Sequence, residues 1–419
     1  MSMVAASSVT PPLLAPVDQL PELGASWASR LRDENRERFA RLGLPAADDE
    51  AWRFTNLKRL RGASFAYDPN VAAPPAPELP GLNVPEFTLV NGRAELERLD
   101  GFPGLQVTSL ATILRQEPDS ISATLGAGAD TTRHRFAALN TAHLADGVVV
   151  RVERNARAKL RILMTGPGAA HAGYPRILIL IEDGAEALVI EDHVGAEGFT
   201  CPVTEARVGQ SGVLHHVRLD RSGGMAMHFG LVAVHQERDS RYVSDVMALG
   251  SRLSRLDLDV SLAGEGAECV LNGLYLPVES QHMDHHTRVS HDAPHTTSRE
   301  LYKGVLGGKG SAVFNGRIVI HEGAMGVDAG QTNNNLLLSD QALVNTNPEL
   351  EIFADDVKAQ HGATIGQIED ESLFYLRSRG IEEGEARRLL IEGFAGVMIE
   401  KIGLEPVEGV VRAELARRF

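Results

Sequence analysis

The chain has 419 residues, 43% hydrophobic and 23% charged, an ordinary globular composition at a length beyond one compact core. A formal net charge of −15 with no clustered run of Lys and Arg excludes nucleic acid and anionic membrane as partners. Two cysteines, Cys201 and Cys269, in no CxxC pair exclude a disulfide framework and any zinc or iron–sulfur site built from this chain's thiolates alone.

Residues 1–16 are rich in Ala, Ser and Pro and are expected to be disordered; without a basic start or an unbroken apolar run they do not read as a signal peptide, so a reducing cytoplasm is expected. Trp27, Leu31, Phe39 and Leu42 recur at helical spacing and predict a helix over 26–42, stopped by Gly43 and Pro45. Asp48, Asp49 and Glu50 predict the first turn of another helix running through Phe54. The proline-rich stretch 69–80 reads as a linker, which puts the first domain at 1–86.

From 87 to 366 the pattern is that of strands. Short apolar runs such as Val148-Val-Val-Arg-Val152, Arg176-Ile-Leu-Ile-Leu-Ile181 and Leu256-Asp-Leu-Asp-Val-Ser-Leu262 recur with no long helical pattern between them, which excludes a wound βαβ sheet. Gly- and Asp-rich motifs (Asp183-Gly184, Gly209-Gln-Ser-Gly212, Gly264-Glu-Gly266, Gly307-Gly308, Ser339-Asp340) precede many of them at irregular intervals. A mainly β fold built on a parallel β-helix, its tight corners at Gly and Asp, explains this pattern, with Asn333-Asn334-Asn335 as a ladder between rungs; an antiparallel sandwich or jelly roll is the rival. After 366 the pattern turns helical: 369–379, then 382–401 with Leu389, Leu390, Phe394, Val397 and Met398 on one stripe, then 410–418. Gly393 and Gly396 in the second helix imply that another element approaches closely.

No Walker A, dinucleotide-binding, GxSxG or HExxH pattern occurs, so no catalytic residue is assigned. Gly304-Val-Leu-Gly-Gly-Lys-Gly-Ser311 has the wrong spacing for a phosphate loop and is read as a rung corner. On a strand, His282, Asp284 and His286 share one face, with His285 opposite. That set makes a weaker candidate for Zn(II) or Fe(II), against the plainer reading of a polar face satisfied by its neighbours. Strand alternation groups His361 with Val357 and Ala359, a semi-apolar setting in which imidazole stays neutral and free to ligate a metal, although a lone histidine is more often structural.

Leu301-Tyr-Lys-Gly-Val-Leu306, Ala312-Val-Phe-Asn-Gly-Arg-Ile318, Asp328-Ala-Gly-Gln-Thr-Asn-Asn-Asn335, Val344-Asn-Thr-Asn-Pro-Glu-Leu-Glu-Ile-Phe353, His361-Gly-Ala-Thr-Ile-Gly366 and Phe374-Tyr-Leu-Arg-Ser-Arg-Gly-Ile381 resemble the SufB/SufD family of iron–sulfur cluster assembly scaffolds, in register over roughly 135–400. The SufD branch is favoured, because the chain is short and lacks an N-terminal cysteine cluster. The resemblance implies a right-handed parallel β-helix core (87–366) between helical domains at 1–86 and 367–419. It implies a non-enzymatic subunit that pairs with a SufB-like paralogue, or with itself when isolated. It also implies docking of a SufC-like ABC ATPase on the stripe of Leu389, Leu390, Phe394, Val397 and Met398. Its cargo would be a transient iron–sulfur cluster shared with SufB, with no tightly bound cofactor in the isolated chain. His361 matches the family histidine at that interface. Many relatives carry Cys where this chain has Ala359, so here only the imidazole nitrogen is offered. The competing classes are a secreted-type β-helix carbohydrate-active enzyme, which needs grouped carboxylates, and an autonomous metal-binding protein using the histidines of 282–295.

Overall fold

A computed structural model describes residues 13–15, 17–68, 70–72, 77–195 and 197–419. The expected disorder at 1–12 and 16, and part of the expected linker (69 and 73–76), lie outside the described residues.

Eight strands, from Val148–Val152 to Leu343–Ile352, form one parallel sheet; eight more, from Arg157–Thr165 to Lys358–Gly366, form a second. Consecutive strands alternate between the sheets, so the chain winds as a parallel β-solenoid of about eight turns. The parallel pairing removes the sandwich and jelly-roll alternatives. Met227 pairs with Leu253 and Ser311 with Leu343, so a turn takes from 26 to 32 residues, hence the irregular motif spacing. Every second side chain points into the lumen, where Val148, Val150 and Val152 stack on Ile177, Ile179 and Ile181 and the column continues along the coil.

One corner of each turn is a left-handed residue: Asn155, Gly184, Ser211, Asp239, Gly266, His295, Gly326 and Asp356, with φ between 52° and 74°. The first six donate their N–H to the carbonyl just before the next corner, as in Asn155 to Asp183 at 3.1 Å and Ser211 to Arg238 at 2.9 Å. A Cβ at Gly184, Gly266 or Gly326 would run into the side chain of Asn155, Asp239 or His295, so at these three corners glycine is favoured by both φ and space.

The coil starts covered and ends bare. Glu86–Val90 pairs with Arg157–Thr165, and Leu105–Ser109 with Val148–Val152, closing the first turn. Two helices absent from the sequence reading, Leu110–Gln116 and Arg135–Ala142, also sit at this end. The second is buried over 136–142, so no amphipathic period marks it. The expected helix Ser26–Leu42 packs on it. At 48–54 only a single 3-10 turn forms, Glu50–Trp52, in place of the expected helix; Trp52 packs against Phe136 and lies 4.0 Å from the Arg255 guanidinium.

Helices Asp370–Ser378, Glu383–Lys401 and Glu405–Arg418 follow the solenoid. The last begins five residues before the predicted start, with Pro406 in its first turn. Ile391, Ala395, Met398 and Ile399 face the outer surface of the second sheet, against Leu219, Met247, Leu274 and Val305. The buried stripe is therefore rotated from the expected one. Gly393 has nothing within 4 Å and Gly396 meets only an Arg412 nitrogen at 3.8 Å, so this chain supplies no close approach there.

Candidate functional site

At the bare end, Leu343–Ile352 and Lys358–Gly366 each pair on one side only. Burial falls along the coil until the last strand is exposed at most positions. Leu343, Ile352, Phe353 and Ile365 stand exposed around this end. Unpaired strand edges beside exposed apolar side chains make a surface fit for strand pairing and burial.

His361 is exposed on this last strand, and register places it beside Gln331. Val357 and Ala359 are half-buried against Ile318, Ile320, Val327 and Ala329, so they anchor the strand while the imidazole stays accessible. Neither thiol can join it. Cys201 and Cys269 are buried, and burial pushes both well above the usual thiol range, which suppresses the thiolate a metal needs. Among the described residues no three His, Cys, Asp or Glu side chains group to hold a metal ion. The accessible His361 imidazole is thus joined by neither thiol of the chain.

His282, Asp284 and His286 share the outer face of their strand, where the N-terminal segment engages them. The Thr55 hydroxyl donates to Asp284 Oδ2 at 2.5 Å and lies 2.9 Å from His282 Nε2. Ser311 Oγ is 2.8 Å from His282 Nδ1, so both ring nitrogens are occupied. Burial opposes ionisation of Asp284, but His286 (3.0 Å) and Arg255 (3.2 Å) hold its carboxyl well below the usual range. His291 is buried between Thr296 and Ser298. Within Gly304–Ser311 the first three residues end one strand and Ser311 begins the next, so the corner is confined to 307–310, with Gly308 at φ 58°. Asn333 and Asn335 bond inside the lumen to the Tyr275 hydroxyl two rungs away, not to a ladder of asparagines.

On the C-terminal helix the five named residues divide. Leu389 and Val397 are exposed, Leu390 and Phe394 are half-buried, and Met398 is fully buried against the solenoid. Lys303 Nζ reaches the Phe394 carbonyl at 3.0 Å and lies over its ring. Phe374 and Tyr375 of the preceding helix extend the exposed apolar surface.

The lumen holds chemistry that the sequence reading missed. Register stacks Leu271, Glu300, Gln331 and His361 in one column, and Leu258, Thr287, Gly316 and Pro348 in a column of the other sheet. Glu300, Thr287 and Gln331 are buried; the Thr287 hydroxyl faces the Glu300 carboxyl, and among the described residues neither amide atom of Gln331 has a hydrogen-bond partner. Burial pushes the Glu300 carboxyl up to about 8, against a weaker downward pull from the Thr287 hydroxyl. Deeper in, Glu191 is equally buried, yet His216 and Arg218 beside it overcome burial and hold its carboxyl well below the usual range. Two lumen glutamates are thus shifted in opposite directions, according to whether a cationic neighbour is present. Strict alternation along 297–306 and 328–337 would have placed Glu300 and Gln331 inward.

The pattern described as the SUF system FeS cluster assembly, SufBD core domain matches residues 162–394, and the SufBD protein N-terminal region matches 18–162. The iron–sulfur cluster assembly protein SufD of Escherichia coli is 32% identical over 92% of this chain and 92% of its own length. Iron–sulfur cluster assembly SufBD family proteins of Synechocystis (31% identical, 88% of this chain, 86% of that protein) and of Mycobacterium tuberculosis (32%, 87% and 86%) are similarly related.

Proposed function

The chain belongs to the SufBD family of iron–sulfur cluster assembly proteins, and on that premise we propose that it is a scaffold subunit that pairs end to end with a SufB-like paralogue, with His361 at the seam as one nitrogen ligand to the nascent cluster. One observation carries this reading: the solenoid is capped where it starts and open where it ends, and the accessible imidazole lies on the last strand of the open end. Pairing there satisfies strand edges and buries Leu343, Ile352, Phe353 and Ile365. The cluster is cargo rather than a resident cofactor, and its thiolates come from the partner. The subunit performs no chemistry alone and works in the cytoplasm. Its three parts, 1–86, 87–366 and 367–419, divide the labour: the last carries the exposed Leu389, Val397, Phe374 and Tyr375, which receive a SufC-like ATPase. In isolation the same open end serves a homodimer. His282, Asp284 and His286 are the secondary metal candidates of the reading, reachable only if Thr55 and Arg255 release them.

The test is co-purification followed by reconstitution. The chain is expected to bring down SufB and SufC homologues, and His361→Ala to abolish cluster formation while leaving the complex intact. Undiminished cluster formation by His361→Ala refutes the ligand assignment; failure to capture either homologue refutes the scaffold.

A further inference from the structure

The outer face of the first sheet carries a groove of about 900 Å³. One wall is the N-terminal segment 49–55 with the start of helix Arg135–Ala142, and the floor is the sheet, out to the free edge of Leu343–Ile352. Two register rows cross that floor: Asp257, His286, Asn315 and Asn347, and beside them Asp259, Arg288, Arg317 and Glu349. Charge here is nearly all paired within the chain. Arg133 and His134 (2.7 Å) hold Asp259, and Arg255 holds Asp257 (2.8 Å) and Asp284 (3.2 Å). Arg317 takes both Glu349 (3.0 Å) and Glu351 (2.9 Å). Arg288 is left over. It is half-buried and flanked by Arg133 and Arg317, and among the described residues it makes no hydrogen bond or ion pair; Asp259 and Glu351 act on it only from beyond ion-pair distance. A guanidinium cannot shed its proton, and desolvation beside two like charges raises the cost of leaving it bare. In a chain of net charge −15, this is an uncompensated cation on the floor of a groove.

We propose that this groove receives an extended acidic segment of the partner seated at the open end, one carboxylate of which pairs with Arg288. The inference rests on the end-to-end pairing proposed above. The groove is far larger than a single ion needs and runs to the free edge, where Asn347 stands exposed. Two strand spacings, roughly 10 Å, separate that edge from Arg288, so a chain seated there reaches it in about three extended residues. The wall also offers an apolar face: Phe54 is exposed, with the Arg53 guanidinium 5.4 Å from its ring. The planar fork of Arg288 takes a carboxylate through two parallel N–H donors, the pairing the other guanidiniums of the groove already make with carboxylates of this chain. A carboxylate from outside completes the set.

Affinity of the full chain for the SufB-like paralogue is measured for wild type, Arg288→Gln and Arg288→Glu at low and high salt. Arg288→Glu is expected to weaken binding about tenfold or more, and the difference to shrink at high salt. Arg288→Lys keeps the charge and supplies an amine, so a carbodiimide joins it to any carboxylate in contact, with loss of water. Mass spectrometry is expected to find it bound to an Asp or Glu of the paralogue. A cross-link only to Asp259, Glu351 or a second copy of this chain, or an Arg288→Glu complex as tight as wild type, overturns the proposal. Arg288→Gln should unfold the isolated chain no more easily than wild type; a lower midpoint means that Arg288 is already paired inside the chain, and overturns it too. If no form captures the paralogue, the pairing itself fails and takes this inference with it; if all forms capture it equally, the groove fails alone.

Discussion

Replacing Glu300 with glutamine should change how stability depends on pH more than it changes stability itself. The carboxyl ordinarily titrates near 4.5 and in the folded chain near about 8, so between those values the folded state holds a proton that the unfolded state has lost. A folded value raised above the unfolded one gives a contribution fully present below pH 4.5 and lost as pH rises to about 8. At about 1.4 kcal/mol per pH unit, the whole window amounts to an upper bound of about 5 kcal/mol, reduced by any water that reaches the carboxyl. Glutamine has nearly the same volume and no titration, so the variant escapes this loss. Urea unfolding of both proteins from pH 5 to 8.5 measures the difference. Wild type should lose stability over that range relative to the variant, and the two curves should diverge by a few kcal/mol at the alkaline end. Parallel curves would mean that the buried carboxyl is already ionised at pH 5, and the reasoning fails.

Three further perturbations separate framework from function. Glu205 is buried, pairs with buried Arg176 and accepts the amides of Gly126, Gly128 and Ala129, so Glu205→Gln should cost about 3–5 kcal/mol in urea unfolding by stranding the arginine. Gly316→Ala pushes a methyl into the Gln331 amide and should cost about 1–3 kcal/mol, a loss that Gly316→Ala with Gln331→Ala should largely recover. On the C-terminal helix, Met398→Ala should cost about 2–5 kcal/mol because the side chain is wholly buried. Val397→Asp should stay within about 0.5 kcal/mol of wild type yet weaken binding of the SufC-like ATPase in a pull-down.

Much of the fold was legible because its signals are local. Apolar alternation marked strands such as Arg176–Ile181, and Gly- or Asp-bearing corners such as Gly184 and Gly266 fell where the chain must take φ above zero. What escaped was set by context. The helix Arg135–Ala142 is apolar all round because everything around it is protein, and the turn at Glu50–Trp52 ends where Trp52 is drawn onto Phe136 and Arg255. The C-terminal stripe was misplaced by about one position, since the outer surface of the second sheet, which no local pattern reveals, selects Ile391 and Ala395. The accessibility of His361 follows from the coil ending there. The column of Leu271, Glu300 and Gln331 depends on residues some thirty positions apart being laid in register, and a sequence read along a single strand does not contain it.

The ladder of left-handed corners gives the coil a direction. Each amide looks forward to the next storey, and among the described residues that of Asp356 finds no acceptor within the chain. Cutting the coil shorter would only move this unmet donor one storey back, so truncation cannot blunt the tip. On the function proposed above, that tip is where the partner seats, and a second copy of the chain presents the same unmet donor.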